Sequence, residues 1–173
     1  MASFPSSYIK TEASSVTRNA DLPSITGTNF SEWFRHSEGT LFVDYDIIPT
    51  DAFSVFVGIA QGADERWATI DQRPGNNIRA VIRHDSEHLV EAIFSGGPSK
   101  VAIGVKGGDH VVIQNGSIVG SSNNSGVPTG STGLYVGSGP HLVGTLENGA
   151  HIRKIQYYPH RLTNVQLQAL TRG

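Results

Sequence analysis

From Gly39 onward the apolar and polar positions of the chain alternate with a period of two. In the stretch 40–47, Leu41, Val43, Tyr45 and Ile47 fall on one face and Asp44 and Asp46 on the other, the pattern of a strand with one buried and one solvated side. Residues 53–60 are apolar almost throughout and predict a strand buried on both faces. Residues 66–73 and 77–83 read as two strands joined through Pro74-Gly75-Asn76, a turn by composition. Strand-like stretches follow at 89–94, 101–106, 110–114, 134–136 and 152–157, punctuated by Gly96-Gly97-Pro98 and Gly107-Gly108-Asp109. Asn115-Gly116 is the strongest hairpin signal, because both central residues of a type I′ turn need positive φ. About ten strands at a spacing of roughly 8–12 residues predict an all-β sandwich or barrel.

One helix is expected, at the end. Thr163 can cap it, with Gln166 three residues on reaching back to complete a capping box. Leu162 and Leu167 are placed as the hydrophobic staple, and Leu167 and Leu170 must pack on the sandwich for so short a helix to hold. Residues 1–26, rich in Ser and Thr at the start and without apolar periodicity, read as an extended arm. The domain proper is expected over 27–173, with Trp33 and Phe34 as a plug under a sheet edge.

Composition narrows the function. The 173-residue chain fits one domain. Having no cysteine, it offers no disulfide and no thiolate for catalysis or zinc, which suits a reducing cytoplasm. A net charge of −2 carries no clustered basic excess for nucleic acid. No apolar run reaches the roughly 18 residues of a membrane span, and the N-terminus lacks the basic and apolar regions of a secretory signal. The expected product is soluble, without an export address. The 20 glycines and 8 prolines, spread along the chain, suit many turns and few helices.

Candidate chemistry is sparse. His84-Asp85-Ser86-Glu87-His88 matches the inverted zincin pattern, which needs both imidazoles on one helical face; between two strands it reads as a polar turn. Asp44 and Asp46 could share a strand face as an acid–nucleophile pair, but the E-x-D-x-E spacing of a retaining glucanase is absent. No G-x-S-x-G elbow occurs, and Gly137-Ser138-Gly139 lacks the context of a phosphate loop. The remaining pattern points to binding. If Ala68, Ile70, Ile78, Ala80 and Ile82 face the core, then Trp67, Thr69, Asp71, Arg79 and Arg83 face outward. Trp67, Asp71, Arg79 and Arg83 are the candidate ligand-binding residues, because an indole stacks on sugar C–H faces while guanidinium and carboxylate groups bond hydroxyls. The alternative is that Trp67 belongs to the core and the arginines form surface ion pairs.

Two segments resemble a known family. Ser7-Tyr8-Ile9-Lys10-Thr11 with Val16-Thr17-Arg18-Asn19-Ala20-Asp21 is similar to the segment of bacteriophage tail proteins that introduces a C-terminal concanavalin A-like (laminin-G-like) domain, with Lys10 where those proteins usually carry proline. Residues 152–163, then Gln166, Leu167 and Leu170, resemble that domain's closing strand and helix, and the Asn115-Gly116 hairpin sits where its back-sheet hairpin would be. The resemblance implies a concanavalin A-like jelly roll of two antiparallel sheets with one short C-terminal helix. It implies a non-catalytic, tail-associated virion module, assembled in the host cytoplasm, that binds host cell-surface glycan. Its other partners would be further virion proteins and copies of itself, with no nucleic acid or membrane. Met1 could then start either a short gene or a piece of a longer tail protein. Two rival readings stand beside this one: a purely structural decoration or assembly protein, and a polysaccharide-cleaving enzyme. Some relatives hold calcium in carboxylate-rich loops; no dense Asp/Asn loop occurs here, so no metal and no cofactor are expected.

Overall fold

A computed structural model of the chain describes residues 23–48, 53–61, 65–137 and 150–173. The elements run β1 (Ser24–Thr26), α1 (Thr28–Ser31), β2 (Glu38–Ile47), β3 (Ser54–Ala60), β4 (Arg66–Arg73), β5 (Asn77–His84), β6 (Glu87–Ser95), β7 (Ser99–Lys106), β8 (His110–Gln114), β9 (Ser117–Ser122), β10 (Gly133–Val136), β11 (Ala150–Tyr158) and α2 (Asn164–Thr171). They form two antiparallel sheets, of six strands in the order β1-β10-β3-β4-β5-β6 and of five in the order β11-β2-β7-β8-β9. This is the expected two-sheet sandwich with a C-terminal helix. Most of the expected arm lies outside the described residues, although its last part contributes β1, paired to β10.

The period-two reading of β2 holds. Leu41, Val43 and Tyr45 are in the core between the sheets with Ile47 packed against it, while Asp44 and Asp46 face out and share Arg153 of β11. Phe42 is not solvated, however. It joins Ala102, Val111 and Ile113 under Leu167 of α2, with Leu162 and Leu170 at the margin. The five-stranded sheet is thus apolar on both faces, and the helix lies across its outer side rather than at one end of the sandwich. Phe30 and Phe34 enter the core beside Trp67, with Trp33 packed against them, which is the plug expected of the residues after the arm.

Parity in β4 differs from the expectation. Between Arg66 and Thr69 the pairing with β5 advances three residues on β4 but two on β5, from Arg83 to Val81. This bulge turns both Trp67 and Ala68 inward. Trp67 is 0% exposed, and its Nε1 donates to the carbonyl of His36 at 3.0 Å. Trp67 is therefore a core residue and leaves the candidate ligand-binding set.

Candidate functional site

The outer face of the six-stranded sheet is where the remaining candidates meet. Cross-strand pairing arranges it in rows. Val55, Asp71, Arg79 and Ile93 make one; Tyr135, Gly58, Thr69, Val81 and Glu91 the next; Ala60, Arg66, Arg83 and His88 the third. Val55, Thr69 and Val81, on the side away from the core, are nevertheless at most 1% exposed. Arg66 and Arg79 on the same side are buried as well, at 7% each. Gly58 sits between Tyr135 and Thr69, where a Cβ would stand 3.4 Å from the Thr69 hydroxyl. That hydroxyl is buried with no hydrogen-bond partner.

Charge dominates this face. Asp71, wholly buried, holds Arg79 through its Nε at 3.1 Å and its Nη2 at 2.6 Å. The same carboxylate accepts from Arg73 Nε at 2.8 Å, and Phe53 lies under the Arg73 guanidinium at 4.5 Å. The third Arg79 nitrogen, Nη1, donates to Glu91 Oε1 at 3.3 Å, and the other Glu91 oxygen lies 3.3 Å from His88 Nδ1. Arg83 donates to the Ser86 carbonyl at 3.2 Å and stands opposite Arg66. Arg66 is held below the usual guanidinium range, chiefly by burial and then by repulsion from Arg79, with Asp71 opposing and Arg83 and Arg73 adding to the repulsion. Arginine remains charged under such a shift. Among the described residues, four arginines and the carboxylates of Asp71 and Glu91 meet on this face.

Of the expected site residues, Asp71, Arg79 and Arg83 are brought together here and Trp67 is not. Asp71 lies beneath the arginines rather than beside a ligand. Arg66, Arg73, Glu91, Thr69 and Tyr135 complete the face. Arg66 shares the parity of the core-facing Ala68 and Ile70 and reaches this face through the bulge, and Tyr135 arrives from a strand far along the chain. The His84–His88 stretch is the expected polar turn: Asp85 and Ser86 have φ of 48° and 66°, and His84 pairs with Glu87 across it. Glu65, His84 and Asp85 put potential metal-ligating atoms within 4.8 Å of one another. Yet His84 offers Nδ1 to Glu65 at 2.8 Å and Nε2 to Asp85 at 3.4 Å, so the two carboxylates meet opposite sides of the ring.

No protein-family model matches the chain, and no curated protein is similar to it in sequence. Solved structures do match its shape. A CBM40 domain of Ruminococcus gnavus IT-sialidase, bound to α2,3-sialyllactose, has a TM-score of 0.63 at 15% identity, covering 83% of this chain and 86% of that one. A leech intramolecular trans-sialidase matches at 0.64 and 14% identity over 83% of this chain, and a Trypanosoma rangeli sialidase bound to sialic acid at 0.60 and 16% over 78%. In these last two the match spans 24% and 23% of the larger protein. At such identities the likeness establishes the fold. None of the three is a phage protein.

Proposed function

We propose that this domain is a non-catalytic module that binds an anionic carbohydrate on the arginine-rich outer face of β3–β6. The observation that carries the reading is the clustering of four arginines on neighbouring strands, Arg66 opposite Arg83 and Arg73 and Arg79 on the one buried carboxylate of Asp71. A sugar carboxylate reaching this cluster would take charge-assisted, fork-shaped hydrogen bonds. The sandwich of similar fold whose bound ligand is sialyllactose supports an acidic sugar. The resemblance of the two terminal segments supports placing the module on a phage virion facing host polysaccharide; mass-spectrometric detection of the chain in purified particles tests that placement.

Titration with α2,3-sialyllactose, with lactose as the uncharged control, tests the binding. Binding of the acidic sugar alone is expected, weakening as salt is raised because the attraction is screened. Arg66→Ala should weaken it about 10- to 100-fold, the range for a lost hydrogen bond to a charged group. If neither sialyllactose nor any other acidic glycan binds, the face is a structural ion-pair network and the reading fails.

A further inference from the structure

Two carboxylates among the described residues stand on the proposed anion-binding face, and their settings differ. Resting on the reading above, we propose that Asp71 and Glu91 play opposite parts. Asp71 positions the arginine fork, whereas Glu91 is a built-in substitute for the ligand's carboxylate, occupying Arg79 Nη1 until the ligand displaces it.

Burial separates the two. The Asp71 side chain is 0% exposed and takes Arg79 Nε and Nη2 together with Arg73 Nε. No ligand can reach it, and removing it would leave buried guanidinium groups uncompensated. With Nε and Nη2 committed to Asp71, the Arg79 fork is fixed and Nη1 points along the sheet toward β6. Glu91 meets that nitrogen through one 3.3 Å contact and is 34% exposed. It comes from the edge strand, opposite the buried Val81, so its carboxylate can swing off into water without disturbing that residue. The Arg79 side chain is only 8% exposed, so Glu91 is the water-facing half of the pair and is held by this single contact. A ligand carboxylate at Nη1 would therefore give up little by evicting Glu91. His88, on the other Glu91 oxygen at 3.3 Å, offers the displaced carboxylate a partner.

The two roles predict opposite signs for the same change of charge. Electrostatics alone says that neutralising either carboxylate makes the face more positive and tightens an anion. If Asp71 positions the fork, Asp71→Asn should instead weaken α2,3-sialyllactose about tenfold or more, the scale of a disrupted bidentate pair. Arg79→Lys, which keeps the charge but not the fork, should weaken it likewise. Glu91→Gln removes only the competitor and should tighten binding roughly two- to fivefold, the effect of losing one weak, partly exposed ion pair. The experiment is calorimetric titration of the wild type and the three variants, each with its melting temperature. Should Asp71→Asn not fold, Arg79→Lys and Glu91→Gln still decide the matter. No gain in Glu91→Gln overturns the proposal, and so does wild-type affinity in Asp71→Asn or Arg79→Lys. A wild type that binds no acidic sugar overturns the reading beneath it; a wild type that binds, with all variants moving one way, overturns this inference alone.

Discussion

Trp67 shows how much one extra residue in a strand decides. Its ring lies between Phe34, 5.2 Å away, and Tyr157, 5.8 Å away, with its N–H satisfied by the His36 carbonyl. Gly39 makes room for it: a Cβ at that position would stand 2.8 Å from both the indole and the Tyr157 hydroxyl. Truncating a fully buried indole removes its transfer energy and leaves a cavity. Trp67→Ala should therefore destabilise the domain by about 3–5 kcal/mol. Denaturant unfolding monitored by circular dichroism measures this; a loss near zero would mean that the indole is not held in the core. Strict alternation puts Trp67 outside, because a bulge carries no compositional mark within Arg66-Trp67-Ala68-Thr69. The neighbouring Asp71 and Arg79 were placed correctly on the outer face, since β5 alternates without interruption from Ile78 to Ile82.

At the scale of elements, local chemistry was the best guide. Thr163 accepts from the Gln166 N–H at 3.3 Å, and Gln166 Oε1 accepts from the Thr163 N–H at 2.9 Å, which closes the capping box anticipated from two residue types. Thr163→Ala removes one acceptor from the first turn and should lower stability by on the order of 1 kcal/mol. A melting curve checks it; an unchanged midpoint would show that packing of Leu167 alone holds the helix. Asn115 and Gly116 have φ of 47° and 82°, as their turn requires. Two strands escaped notice for want of any local signal. β1 has three residues, all exposed, and β9 reads Ser-Ile-Val-Gly-Ser-Ser without alternation. Both exist because a neighbouring strand supplies hydrogen bonds, not because their own residues favour extension.

For the whole molecule, the connection at 123–132 matters most, since it carries the chain from the five-stranded sheet to the six-stranded one. His110 anchors it from β8: the side chain is 1% exposed, and Nε2 donates to the Gly126 carbonyl at 2.8 Å. Its Nδ1 is buried without a partner. Burial holds the imidazole below its usual range, against the opposing pull of the Gly126 and Asn124 carbonyls. A histidine depressed on folding binds its proton more readily in the unfolded chain. Its contribution is full above the ordinary histidine range, near pH 6.5, and is lost as pH falls below it toward the folded value. Stability measured from pH 7.5 to 5 should therefore fall, and His110→Gln, which can still donate to Gly126, should flatten that fall. Equal slopes in the two proteins would rule out His110 as the cause.

What the amino-acid order determined by itself were the features written in short-range chemistry: the period of two in β2 and β5, the hairpin at Asn115-Gly116 and the capping box at Thr163. These depend on residues within a few positions of one another, where φ preference and side-chain reach suffice. Tertiary structure alone decided three others. The bulge that buries Trp67 is a matter of register between strands. The helix lies across the outer face of the five-stranded sheet because Phe42, Ala102, Val111 and Ile113 are apolar on the side that alternation would leave wet. The arginine face gathers Arg66, Asp71, Arg79 and Glu91 from three consecutive strands and Tyr135 from a distant one, in rows that only strand register sets. A chain with a net charge of −2 still gathers four arginines on one face, because the sheet, not the composition, chooses which charges stand together.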